Sequence, residues 1–388
     1  MINYPLAADT WGKEEYGAID RVIKSNRFTM GPEVEKFEEE FADYFGSKYA
    51  VMVNSGSSAN LIAISAIILS DNYDINYGDE VIVPAVSWAT TYTVIHQCGL
   101  KLRFVDIDLN TFNLNLDDLE NAITENTKAV FAVNLLGNPN DFDRLLKICD
   151  DNNLILIEDN CESMGAKYNG KYAGTYGVCG TFSTFYSHHM ATMEGGMVLT
   201  DDFELKDIMK SIRSHGWTRN LSENSRFNIK KDKFYEMFNF IFPGYNVRPV
   251  EMEAAIGREQ LKKLDMFLKE RKSNGKYFLE KFSSIPSISL QVNQDDSSFF
   301  GFPILFKDNL ERKNFINLCD KNNIEYRPIV AGNFTKNKVI DYFNYTIYGD
   351  LTNSNILHNA GLFIGNHHFD VKENLDEIYN LLIKQMGE

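Results

Sequence analysis

The chain has 388 residues, 44% of them hydrophobic and 13% aromatic, enough apolar material for one large core and a smaller companion. A formal charge of -15, with no lysine- or arginine-rich block, argues against nucleic acid as a partner. Five scattered cysteines, Cys98, Cys149, Cys161, Cys179 and Cys319, form no CxxC pair, which speaks against a disulfide framework or a metal site and for a reducing, cytoplasmic setting. No apolar run reaches membrane-spanning length, and the N-terminus lacks the pattern of an export signal, so no membrane association is expected.

In chain order, short β-branched and apolar runs alternate with helix-length segments. The runs are YAVMV (49–53), EVIVPA (80–85), KLRFVDI (101–107), KAVFAVNLL (128–136), LILIED (154–159), GTFSTF (180–185) and MVLT (197–200). Amphipathic stretches such as 59–69 and 141–152 lie between them, and this alternation predicts an α/β layer architecture. The segment 221–243 is rich in Phe, Lys and Asn without a period, and reads as an inserted lid or partner-contact loop. From residue 251 a long charged helix leads to fewer strands and a terminal helix. The division expected is therefore 1–250, an N-terminal segment with a large domain, and 251–388, a small C-terminal domain.

Three features carry chemistry. The strand at 49–53 runs into Asn54-Ser55-Gly56-Ser57-Ser58 and then a helix, so backbone N–H groups and hydroxyls gather at a helix N-terminus, which suits a phosphate as well as ordinary capping. The run LILIE ends in Asp159, a carboxylate at the strand edge where open α/β sheets bind ligands and where it can keep a pyridinium nitrogen protonated. Trp88, beyond the strand VIVPA at the same edge, offers a face for stacking on a flat heteroaromatic ring.

Taken together, Ser55-Gly56-Ser57, Trp88, Asp159 to Glu162, Ser183 to Gly196 and Gly244 to Arg248 resemble, in order, the fold-type I pyridoxal-phosphate-dependent sugar aminotransferases. The resemblance also takes in Arg27 to Gly31 and Glu325 to Pro328. It implies an aspartate-aminotransferase-like α/β fold: a large domain whose central, mostly parallel seven-stranded sheet is flanked by helices, plus a smaller C-terminal α+β domain. By the same resemblance Gly56, Ser57 and Ser183 hold the cofactor phosphate, Trp88 stacks on its ring, Asp159 pairs with the ring nitrogen and Glu162 sits near the ring hydroxyl. Asn246 would contact the phosphate from a neighbouring subunit, implying a homodimer with shared active sites.

One position breaks the pattern. In that family the lysine bonded to the cofactor stands six residues before the Glu of the Glu-Gly-Gly turn and five after the Ser of the strand, and both counts reach His188 here. No lysine or arginine occurs from Tyr172 to Leu205. An imidazole moves protons near neutral pH but forms no stable Schiff base, so His188 is the expected catalytic acid–base. Its neighbour His189 is expected to be structural, because adjacent side chains on an extended segment point in opposite directions.

This departure resembles the 3-dehydratases of deoxysugar biosynthesis. It implies that pyridoxal 5'-phosphate and its pyridoxamine form serve to remove the C3 hydroxyl of a GDP-linked 4-keto-6-deoxy sugar in colitose-type O-antigen synthesis, with L-glutamate reloading the cofactor and ammonia released. The CDP-linked relatives that use an iron–sulfur cluster are disfavoured by cysteine intervals of 51, 12, 18 and 140 residues, which leave no ligand cluster. An aminotransferase with another base, or a non-catalytic ligand-binding homologue, stands as the alternative. The resemblance further implies substrate contacts from Asn26, Arg27, Phe28 and Thr29, and from His215, Arg219 and Arg248, the two arginines suiting a diphosphate or a carboxylate. His367 and His368 are expected to be structural, and no metal is expected.

Overall fold

The computed structural model describes residues 2–227 and 233–386. Its apolar runs become β1 (Tyr49–Val53), β2 (Glu80–Pro84), β3 (Lys101–Val105), β4 (Thr127–Val133) and β5 (Ile155–Asp159). After a small hairpin of β6 (Lys167–Tyr168) and β7 (Lys171–Tyr172) come β8 (Cys179–Ser183) and β9 (Gly196–Thr200). The C-terminal part adds β10 (Ile288–Leu290), β11 (Gly301–Phe306), β12 (Tyr326–Arg327), β13 (Tyr345–Ile347) and β14 (Gly361–Gly365).

The main sheet has the order β1-β9-β8-β5-β4-β2-β3-β13, and β9 alone runs against the others. Its strands are buried on both faces, as near-continuous apolar parallel strands require. The sheet thus has eight strands rather than seven. The extra one, β13, comes from far down the chain and pairs in parallel with β3, Tyr345 opposite Leu102 and Ile347 opposite Phe104. Thr346 on this strand donates to the buried carboxylate of Glu80 at 3.1 Å.

Helix Gly56–Leu69 is apolar all round and correspondingly sandwiched, sharing a core with Val83, Phe104, Ile208 and Ile212 from strands and the helix Phe203–Ile212. On the opposite face, Leu119, Phe142 and Leu145, from helices Leu116–Ala122 and Phe142–Asp151, pack over Ile82, Val130 and Leu156. Helices on both faces leave only the sheet's strand ends open for a site.

The long helix Glu251–Phe282 lies along the N-terminal helices Lys13–Ser25 and Pro32–Phe45. Its buried Glu251 accepts the Glu33 and Val34 N–H groups, both at 3.0 Å, and so caps the second of these. Beyond it, β10, β11, β14 and β12 form an antiparallel sheet over Phe278, Phe302, Phe315, Leu375 and Ile378. Between β1 and helix Phe203–Ile212 the buried Glu38 meets Arg213 and Lys210, and the Met52 N–H donates to it at 2.9 Å. Burial pushes this carboxyl up, but the two cations and the amide overcome that and hold it below the usual range.

Of the segment 221–243, residues 228–232 lie outside the described residues. Past them, Phe234, Tyr235, Phe238 and Phe240 are exposed, with Phe238 stacked on Trp217 at 5.5 Å. Among the described residues no helix is long and apolar enough to cross a membrane.

Candidate active site

The C-terminal ends of the parallel strands bring the motifs to one edge. After β1, Ser55 caps helix Gly56–Leu69 by accepting the Ser58 N–H at 3.1 Å, and Ser58 donates to Asn54 at 2.7 Å. The Gly56 and Ser57 N–H groups, in the helix's first turn, have no intrahelical acceptor and are set for an anion. Glycine is required here by proximity: a Cβ on Gly56 would stand 2.7 Å from the Ser183 Cβ and 3.0 Å from the Cys161 sulfur. One on Gly196 would stand 2.2 Å from the Ser55 carbonyl oxygen. Ser183, at the end of β8, is therefore packed directly beneath the Ser55–Gly56 loop.

Asp159 closes β5 with its carboxylate buried and held by three donors. Asn60 Nδ2 and Thr91 Oγ1 each donate to Oδ2 at 2.9 Å, and the Cys161 N–H donates to Oδ1 at 3.2 Å. Asn60 is in turn held by Thr181 Oγ1 at 2.5 Å, and Thr91 by Ser87 at 2.8 Å. Three donors on one carboxylate fix its orientation. Sequence reasoning did not single out Asn60, Thr91 or Thr181. Their one visible signal was polarity inside buried apolar elements. Trp88, the residue before helix Ala89–Gln97, stands 57% exposed at the same edge, which is unusual for a tryptophan and leaves its face open for stacking.

Glu162 accepts the Leu136 N–H at 3.1 Å; burial pushes its carboxyl up to about 7, with the Asp159 charge adding and the Leu136 amide opposing. Leu136, at φ +53°, uses its carbonyl to accept the Phe300 N–H at 3.1 Å. The Phe300 ring lies 5.3 Å from His188 and 5.8 Å from His189, so the Glu162 side of the site and the histidine pair share one wall.

The loop that carries His188 is pinned at its base. Thr184 N–H donates to Gly195 O at 3.0 Å, Thr192 N–H to Thr184 O at 2.8 Å, and the two threonine hydroxyls meet at 2.5 Å. Between these pins the chain is not the extended segment expected. It turns, with the His188 N–H bonded to Phe185 O at 2.9 Å. His189 is buried, Nε2 lying 3.2 Å from Ser298 O, while His188 is only partly buried. His188 Nδ1 is buried without a partner among the described residues. Burial pushes its imidazole down to about 4, the Arg271 charge adding to this and the Phe185 backbone opposing it.

The turn Gly244 to Arg248 reaches this edge through Asn54 N–H to Val247 O at 3.1 Å. Asn246 is exposed, and Arg248 Nε donates to its side chain at 2.9 Å. His215, at φ +66°, is exposed beside it, its N–H on Tyr245 O at 2.6 Å. Arg219 is exposed over the Trp217 ring at 5.2 Å. Asn26, Arg27, Phe28 and Thr29 are all exposed at the start of the long helix, where Glu251 N–H bonds to Phe28 O and Thr29 pairs with Val250. No hydrogen bond or ring contact among the described residues joins Asn26–Thr29, His215 or Arg219 to Asp159 or His188. Of the residues expected to be structural, His367 is buried, Nε2 3.0 Å from Pro5 O and the ring stacked on Phe369.

A model of the DegT/DnrJ/EryC1/StrS aminotransferase family matches residues 9–382. The chain belongs to this family. GDP-4-keto-6-deoxy-D-mannose 3-dehydratase of Yersinia pseudotuberculosis is 54% identical, the match covering 99% of both chains. A solved structure of the Escherichia coli enzyme of that name, with bound hydrated PLP, is 51% identical and covers 98% of this chain and 100% of its own, with a TM-score of 0.96. Another, of GDP-4-keto-6-deoxymannose-3-dehydratase with a trapped PLP-glutamate geminal diamine, is 50% identical with the same coverage and a TM-score of 0.96.

Proposed function

We propose that this chain is a pyridoxal-phosphate-dependent lyase that removes the C3 hydroxyl of GDP-4-keto-6-deoxy-D-mannose, giving GDP-4-keto-3,6-dideoxy-D-mannose and ammonia, with L-glutamate restoring the amino form of the cofactor. The observation that carries the reading is His188 at the family's lysine position, inside a cradle whose other parts are intact. The near full-length likeness to the dehydratases at 51–54% identity supports it.

The donor set fits the cofactor. The N–H groups of Gly56 and Ser57 and the Ser183 hydroxyl suit its phosphate, the open indole of Trp88 its ring face, and the clamped Asp159 its protonated ring nitrogen. When bound, the pyridoxamine form supplies an amine for the 4-keto carbon and a ring that withdraws electrons. Glu162, midway through its titration at neutral pH, suits the ring hydroxyl. His188, neutral at rest, takes a proton at Nε2, its other nitrogen being buried, and returns it to the departing C3 oxygen. With no amine in the 172–205 stretch to add a proton at sugar C4, loss of the hydroxyl is the open course.

Asn246 reaches the phosphate of a second copy in this reading, and Asn26–Thr29, His215, Arg219 and Arg248 receive the nucleotide sugar and glutamate. The exposure of Asn246, Asn26–Thr29, His215 and Arg219, and that of Phe234, Tyr235 and Phe238, favours a homodimer with shared sites, to be checked by analytical ultracentrifugation. The function is tested by incubating the protein with pyridoxal phosphate, L-glutamate and GDP-4-keto-6-deoxymannose. Ammonia and a product lighter by one oxygen are expected, and a 4-amino sugar without ammonia overturns the reading in favour of an aminotransferase.

A further inference from the structure

Behind the two histidines lies a cation without an anion. Arg271, in helix Glu251–Phe282, is 4% exposed. Its Nη1 donates to the Phe300 carbonyl at 3.2 Å, its Nε is buried with no acceptor, and no carboxylate among the described residues forms an ion pair with it. Buried arginines are ordinarily paired, so an unpaired one points to a use for its charge.

What Arg271 holds is the wall of the proposed reaction site. Phe300, whose carbonyl it binds, sets its ring 5.3 Å from His188, and Ser298 in the same segment accepts at 3.2 Å from His189. Asn366 ties this segment to the helix from the other side, donating to the Arg271 carbonyl at 3.1 Å and to the Phe299 carbonyl at 2.8 Å. The titratable and charged groups around His188 are Arg271 on the long helix, His189 on its own loop and Glu162 across Leu136 and Phe300. Around Arg271 stand Tyr4, His367 and His368, with Lys272 acting on His189. Within this set the one carboxyl is Glu162, which burial keeps only partly ionised at neutral pH; beyond it Asp9 acts on His368 and Asp296 pairs with Lys272, and none of the three forms an ion pair with the guanidinium.

We propose that Arg271 is a positioning residue for His188: it seats the Phe300 ring against the imidazole and lays an uncompensated positive charge behind it. The consequence is twofold. His188 stands neutral, ready to accept a proton, and the imidazolium it becomes is a stronger acid than ordinary histidine, suited to a departing hydroxyl. This rests on His188 as the proton carrier, but its test needs no turnover.

The test is a pH titration by NMR of protein carrying 13C at histidine Cε1, without substrate, with the His188 signal assigned by its loss in His188→Asn. In the native protein the midpoint is expected well below the ordinary ~6.5. In Arg271→Met it rises by on the order of one unit, in Arg271→Gln, which keeps a donor for the Phe300 carbonyl, by a similar amount, and in Arg271→Lys it stays low. The acid limb of ammonia release moves in the same direction. A native midpoint at or above ~6.5, or an unmoved midpoint in whichever neutral variant melts as a folded protein, overturns the proposal. The expected titration with no ammonia from any variant or from the native protein would instead count against the dehydratase reading.

Discussion

With no lysine from Tyr172 to Leu205 to bond it, the cofactor is expected to bind as a reversible equilibrium, and Asp159→Asn tests the site in that measurement. The native carboxylate spreads three protein donors over two oxygens, with Oδ1 holding only the Cys161 N–H at 3.2 Å and so retaining acceptor capacity for a ring nitrogen. An asparagine can keep its carbonyl toward Asn60 and Thr91, but its NH2 group then faces the Cys161 N–H, donor against donor, and presents another donor to the pyridinium. The ligand loses one charge-assisted hydrogen bond, worth about 1.5–3 kcal/mol, or about 10- to 150-fold in Kd. The assay is a spectrophotometric titration with pyridoxal phosphate in amine-free buffer, with circular dichroism to establish folding. A Kd within about twofold of the native value in a folded variant would refute the assignment of Asp159.

Other outcomes follow from the same packing and charge arrangement. His188→Lys is expected to gain a dialysis-resistant absorbance band with pyridoxal phosphate and to lose ammonia release; retained release would remove His188 from its role. Glu38→Ala strips the anion from buried Arg213 and is expected to cost about 3–5 kcal/mol in urea unfolding, whereas a loss under about 1 kcal/mol would show the pair to be dispensable. Burial and the Arg271 charge push His367 down to about 4, so it folds neutral. The unfolded chain then binds the extra proton first, and this stability, complete above ~6.5, is lost as pH falls towards 4, up to about 3 kcal/mol. His367→Asn should flatten that acid loss in melting curves, and an unchanged acid slope would contradict it. Gly196→Ala should destabilise and weaken phosphate binding, because its Cβ would lie 2.2 Å from a backbone oxygen; a native-like melt and Kd would contradict that close approach.

Much of this was legible because parallel strands announce themselves as unbroken apolar runs: the seven runs read from the sequence lie on β1 to β5, β8 and β9, offset by up to three residues at their ends. His188 was singled out by counting along one loop. What was not legible depends on packing across the chain. Asn60 sits within GSSANLIAISAIIL, where nothing local shows that it faces Asp159, 99 residues away. Arg271 belongs to a helix dense in Lys, Arg and Glu, and one buried cation among many exposed ones leaves no periodic trace. His188 and His189 were assigned opposite directions on the premise of an extended chain, whereas their different burial comes from a turn packed against Phe300. β13 has three residues, Tyr-Thr-Ile, too short for a period-two signal, and is a strand only because β3 offers it a free edge.

That short strand also bears on how the protein is made. A ribosome releases β1 to β9 long before residue 345, so any main sheet formed during synthesis has the rim of β3 open and the Glu80 carboxylate lacking the Thr346 hydroxyl. An uncovered parallel edge is adhesive to other nascent chains. Closing it last, from a segment embedded in the C-terminal part, makes completion of the large sheet a checkpoint on the whole polypeptide: a chain truncated before Tyr345 keeps the residues of the proposed cofactor cradle but not the seam that protects them from aggregation.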